Sequence, residues 1–191
     1  MTNSTKGPPM NRPLSTPYLP ERPRTLHLID IENMVGPDAS AEEVTSFWTG
    51  YRRLAIGLGY NDHAIVASGP RFAPVAWFAI PANDVQRRVG RGIDGADFAL
   101  IDAVELERYS VRFDRLVIAS GDHAFAPLAR RARKLGMRVH QVIGRGLPSR
   151  ELFAACPTHS RLRFDTIPTG TGKTAAAEPA RGAREIVKVA A

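Results

Sequence analysis

The sequence predicts a three-layer α/β/α sandwich built on a mostly parallel sheet. Two observations carry that expectation. The apolar segments are short continuous runs rather than alternating ones, as strands covered on both faces require, and helical patterns separate them. Helices between buried strands make right-handed crossovers the economical connection. Sheets of this kind bind ligands beyond the carboxyl ends of their strands, so any chemistry is expected at that edge.

LHLIDI (26–31) reads as the first buried strand. From 41 to 57, Val44, Phe47, Trp48, Tyr51, Leu54 and then Leu58 recur at helical spacing, and Ser40 ahead of Glu43 fits a capping box. HAIVAS (63–68) is a second strand, and VAWFAI (75–80), bounded by Pro74 and Pro81, is expected to be a third. Residues 96–108 read as a helix with Leu100, Ile101, Val104 and Phe98 facing inward. RLVIAS (115–120) is the fourth strand. Phe125, Leu128, Ala129, Ala132 and Leu135 then make the buried stripe of a helix that stops at Gly136. RVHQVI (138–143) is the fifth strand, a short helix follows over 148–154, and RLRFDTI (161–167) suits an edge strand.

The ends differ from this body. Residues 1–23 contain six prolines and little apolar material, which predicts a disordered leader. The folded domain is expected over 24–167 and a flexible tail over 168–191, with the order of the closing EIVKVAA left open. The chain begins without an apolar signal-like stretch, and its longest apolar run is too short to span a bilayer. A single cysteine, Cys156, excludes an internal disulfide and a cysteine-based zinc site and suits a cytoplasmic location.

The net charge of +7 is unevenly placed. Residues 123–150 hold seven cations (Arg130, Arg131, Arg133, Lys134, Arg138, Arg145, Arg150) and no acid. Such a patch steers polyanions, although a solvated helix face in an arginine-rich chain would look the same. Arg87, Arg88 and Arg91 form a second group, close to Asp94.

Acids gather where the fold predicts a ligand. Asp30 closes the first strand and precedes Glu32 and Asn33, while Asp122 follows the fourth strand in Ser120-Gly121-Asp122. Asp94 and Asp97 stand three apart at a helix start, where both can face one way. Asp102 lies roughly 140° around the helix from Asp97 and is not expected to join them. Each of these aspartates could cap a helix. Two at strand ends with a third at a helix start favour a metal site, because close carboxylates repel unless a cation lies between them. Oxygen ligands suit Mg²⁺ or Mn²⁺. The expected metal set is Asp30, Asp94, Asp97 and Asp122.

LHLIDIENMVG, GIDGADFALIDAVE and VIASGDHAFAPLARRARKLGMRVHQVI together resemble the NYN domain, a branch of the PIN-like nucleases, over about Leu26 to Asp165. The resemblance implies a PIN-like doubly wound sheet and a metal-dependent endoribonuclease. It also implies a single-stranded RNA substrate and a homodimer. By position, Asp30 and Asn33 match the opening motif, Asp97 the middle one, and Asp122 the aspartate after Ser-Gly, which makes these four the catalytic candidates. Ala124 stands where many relatives have a second aspartate, and Asp97 and Asp102 are five apart where six is usual. Glu32 or Asp94 could compensate.

Other features carry less. PTGTGKT (168–174) imitates a phosphate-binding loop but has Ile167 where that pattern needs glycine. His123 could meet a phosphate or point to water, and His27 reads as a core residue. Cys156 has no recognisable partner. Besides the endoribonuclease, two readings stand: a noncatalytic RNA-binding module with a degenerate site, and a phosphatase of small phosphoesters.

Overall fold

A buried run of small and β-branched residues needs neighbours on both sides, and six segments of this chain supply them to one another. The computed structural model describes residues 23–54 and 56–163, and the backbone of 185–189. Along the chain come β1 (Thr25–Asp30), α1 (Ile31–Val35), α2 (Ala41–Arg52), β2 (His63–Ser68), α3 (Ala73–Ala79), β3 (Gln86–Val89), α4 (Gly95–Asp102) and α5 (Leu106–Ser110). They are followed by β4 (Arg115–Ala119), α6 (Ala126–Lys134), β5 (Arg138–Ile143), α7 (Arg150–Ala155), β6 (Thr158–Leu162) and β7 (Glu185–Val189). The expected leader over 1–23, residues 164–167 of the expected edge strand and PTGTGKT lie almost wholly or entirely outside the described residues.

The sheet runs β3-β2-β1-β4-β5-β6-β7. The first six strands in that order pair in parallel, and β7 closes the edge antiparallel to β6. The chain winds outward from β1 to β3 with α1, α2 and α3 on one face, then returns to β4 and winds the other way with α4 to α7 on the opposite face. Two cores result. Ile29, Val66, Val117, Ala119 and Val142 meet Phe47, Trp48 and Tyr51 of α2. Leu26, Leu28, Ile65, Leu116 and Ile118 meet Leu100, Phe125, Leu128 and Ala129. The strand order reverses between β1 and β4, which opens a crevice beyond their carboxyl ends.

Several elements depart from the expectation. VAWFAI is not a strand but most of α3, with a proline in its first turn. Ala73, Ala76 and Ile80 are buried at helical spacing, while Phe78 is 85% exposed. The third strand is instead QRRV, a polar edge strand hydrogen-bonded only to β2. Residues 96–108 form α4 and α5 rather than one helix. In an unbroken helix Leu106 would turn roughly 120° from Leu100, whereas the break buries both. Phe98 faces outward, 55% exposed. The first helical stretch ends at Arg52, short of Gly57, and the capping box at its start is formed by Ser40 and Glu43. The last parallel strand, β6, begins three residues before the expected edge strand. No helix among the described residues is long and apolar enough to cross a membrane.

Candidate metal centre

Asp30 is the last residue of β1 and also the N-cap of α1, so the chain turns sharply on a carboxylate at the sheet's edge. Its two oxygens are held differently. Oδ1 accepts from the Asn33 backbone N–H at 3.3 Å, and Oδ2 accepts from the Ser120 hydroxyl at 3.4 Å. Across the crevice, β4 ends in Ser120-Gly121-Asp122. The amide oxygen of Asn33 accepts from Gly121 N–H at 2.8 Å and ties this turn to α1. Gly121 is required by close packing: a Cβ there would lie 2.9 Å from the Leu147 carbonyl and 3.3 Å from Asn33 Oδ1.

Asp97 enters from above, in the first turn of α4, and is 95% buried, with a relative exposure of 5%. Its carboxyl lies beside that of Asp30, and each alters the other's proton affinity. Burial raises the proton affinity of Asp97, and the charges of Asp30, Asp122 and Asp94 raise it further. Asp30 is raised too, chiefly by burial, with Asn33, Asp97 and Ser120 partly offsetting the effect and Glu32 adding to it. Both proton affinities are thus raised, chiefly by burial, and Asp97 faces the larger set of acidic neighbours. Its Oδ1 is buried without a hydrogen-bond partner.

The remaining candidates stand further out. Asp122 Oδ1 accepts from Ala124 N–H at 2.7 Å and lies 3.1 Å from the largely exposed His123 ring, so Asp122 caps the turn that leads into α6. Asp94 is exposed, adopts a left-handed φ of 56°, and makes no side-chain cap. Capping thus accounts for Asp30 and Asp122 in part and for Asp94 and Asp97 not at all. Asn33 is a brace between α1 and the Gly121 turn. Glu32 accepts from Gly69 N–H at 2.5 Å, which fixes it at the end of β2. Asp102 is exposed at the far end of α4.

Two polar residues escaped the sequence reading. Ser120 bridges Asp30 and the Asp122 backbone N–H. Gln141 in β5 is fully buried and donates to the Ser120 carbonyl at 2.9 Å, leaving its own Oε1 unpartnered. A glutamine inside the apolar run RVHQVI was the available signal, because a buried amide needs a partner.

The basic patch does not sit where the sequence suggested. The first turn of α6 adjoins the acids, but Arg131, Arg133 and Lys134 lie in its last turn, about 8–12 Å further along the axis. Arg138 opens β5, at the amino end of the sheet. Arg131 pairs with Glu107, and Arg145 reaches the Val35 carbonyl and Glu43. Near the acids, Arg87 is occupied by the carbonyls of Trp77 and Ile80, while Arg88 and Arg91 are exposed.

Among the described residues no three His, Cys, Asp or Glu groups converge as a ready-made metal site. The residues nevertheless fit a hard divalent cation. An orphaned buried carboxylate oxygen lies on a carboxyl pair, two further acids contribute field, and such ions complete their coordination with water. Cys156 is buried and its thiol is pushed up to about 12 by that burial, so it is no nucleophile.

Comparison with known proteins follows the same boundaries. The family model of the NYN domain matches residues 24–163, which contain the whole site. No curated protein matches the chain. Among solved structures, the crystal structure of a protein of unknown function from Vibrio parahaemolyticus matches at 16% identity, covering 72% of this chain and 91% of that one, with a TM-score of 0.46.

Proposed function

Because this chain belongs to the NYN domain family, with its nuclease-like fold, we propose that it is a metal-dependent endoribonuclease. One observation supports the reading above the others. Asp30 and Asp97 press together at the switch point of the sheet, and Asp97 keeps an unpartnered oxygen in the crevice. A fold seeking stability alone would replace such a pair with apolar or amide side chains.

Asp30 and Asp97 would hold Mg²⁺ or Mn²⁺, with Asp122 and Asp94 beside them. The chemistry that such an ion supplies when bound is activation of a water for attack on phosphorus and neutralisation of charge on the phosphate oxygens. The chain's own residues do the rest. Ser120 and the Asn33 backbone hold Asp30 in one orientation, and the Asn33 side chain fixes the distance between the β1 and β4 turns. A cation bound there would favour the ionised carboxylates of Asp30 and Asp97 over their protonated forms. Arg88 and Arg91, exposed on the strand and loop that lead to Asp94, would hold RNA phosphates.

A second reading, a noncatalytic RNA-binding module, draws on Asp122. Its Oδ1 is engaged by Ala124 N–H, and the position of Ala124 offers no carboxylate. The two readings separate in one assay, cleavage of labelled single-stranded RNA by purified protein with Mn²⁺, Mg²⁺ or EDTA. Asp30→Asn is expected to lower cutting by about a hundredfold or more and leave RNA binding largely intact. Cleavage that survives EDTA, or that neither Asp30→Asn nor Asp122→Asn reduces, removes the nuclease assignment. RNA bound but never cut moves the protein to the noncatalytic class.

A further inference from the structure

We infer that the ridge formed by Arg88, the 90–95 loop and Phe98 holds an unpaired nucleotide of the RNA, with its base stacked on the Phe98 ring. The inference rests on the RNA reading above. Phe98 directly follows the buried Asp97, yet is itself 55% exposed, and Ile93 at the loop tip is 91% exposed. Large apolar groups left in water beside a polar site mark a contact surface.

The ridge is fixed in place. Gly90 and Gly95 touch so closely that a Cβ on Gly90 would lie only 1.8 Å from the Gly95 carbonyl. Gly90 N–H donates to Ser68 at 3.0 Å, which ties the loop to β2, and Phe98 N–H donates to Asp94 at 3.1 Å. The ring therefore stands on a rigid base one residue from the metal-binding pair, and stacking on it needs little ordering.

Charge selects the occupant. The register places Arg88 beside Ala67 and Ala67 beside Asp30, in one row across three strands. Alternate residues share a face, and Arg87 turns to α3, so Arg88 lies on the α4 side with Asp30. Arg91 is exposed on the loop. Two exposed arginines thus stand on the strand and loop that lead into the helix carrying Asp94, Asp97 and Phe98. The acids repel bare phosphate, which leaves guanidinium contacts and base stacking to hold the strand. That combination suits single-stranded RNA, because every base presents a face to the ring.

The test is anisotropy binding in EDTA, where neither metal nor turnover enters. The probes are a short labelled oligoadenylate and an abasic strand with the same number of phosphates. Wild-type protein is expected to prefer the oligoadenylate. Phe98→Ala should weaken that binding roughly tenfold and leave abasic binding unchanged, and Phe98→Trp should retain the preference. Arg91→Gln should reduce the salt dependence on both strands by about one phosphate contact. Equal binding of the two strands by wild-type protein overturns the stacking alone. So does a Phe98→Ala loss that is equal on both strands or that Phe98→Trp does not prevent. Binding of neither strand overturns the stacking as well, and the RNA reading is then decided by the cleavage assay with Mn²⁺ or Mg²⁺.

Discussion

A carboxylate buried in the first turn of a helix costs stability, and Asp97 adds the repulsion of Asp30 to that cost. Both carboxyls bind protons more tightly in the folded chain than at the ordinary value of 3.8. The folded state therefore carries the extra protons, and metal-free stability from this pair is lost as pH rises above that value. Replacing the charge exposes the effect. Metal-free Asp97→Asn is expected to melt higher than the parent at about pH 8, by roughly 1–2 kcal/mol, with the gap narrowing toward pH 5. Thermal denaturation in EDTA across that range measures it, and an equal or lower melting temperature for the variant would contradict the repulsion. His140 acts in the opposite direction. Burial first, then His159, Arg115 and His27, lower it from 6.5 to about 4. The stability it contributes is full above 6.5 and lost as pH falls toward 4. Asp30, Asp97 and Asp122 were legible in the sequence because strand ends and helix starts in this fold class point at the crevice. The role of Asn33 as a brace was not legible, since its partner Gly121 lies far along the chain.

At the scale of elements, the crevice depends on two turns that meet. α1 presents Asn33, the β4 turn presents Gly121, and the 147–149 segment closes over both, with Ser149 N–H donating to Gly121 at 2.8 Å. Gly121→Ala would push a methyl against the Leu147 carbonyl and the Asn33 amide. The variant should fold with a loss of about 1–3 kcal/mol and cut RNA at least tenfold more slowly, because the Asp122 turn no longer seats against α1. Unchanged kinetics would show that the turn tolerates the shift. The central strands were readable because continuous apolar runs have few other uses. The edge was not readable. QRRV lacks the apolar signal since only one neighbour and half a face constrain it, while VAWFAI carries that signal and is a helix with Phe78 in solvent. Pro74 was read as the boundary of a strand, although proline in a first turn equally opens a helix.

For the whole molecule, winding direction positions the candidate site. Reversal of strand order between β1 and β4 brings Asp30 and Asp97 together, with Asp122 further out at the same edge, which the sequence could suggest only through the general rule for such sheets. Charge along the chain was a poorer guide to charge in space. The cations of α6 and β5 are near Asp122 in sequence, but most lie toward the other end of the strands, whereas Arg88 comes level with Asp30 through sheet register. The account rests on the carboxylates acting together as a cation site, and calorimetric titration of the purified protein with Mn²⁺ tests that most directly. A single site is expected in the parent, weakened at least tenfold by Asp97→Asn. No binding to the parent, or indistinguishable titrations for the two proteins, would contradict it.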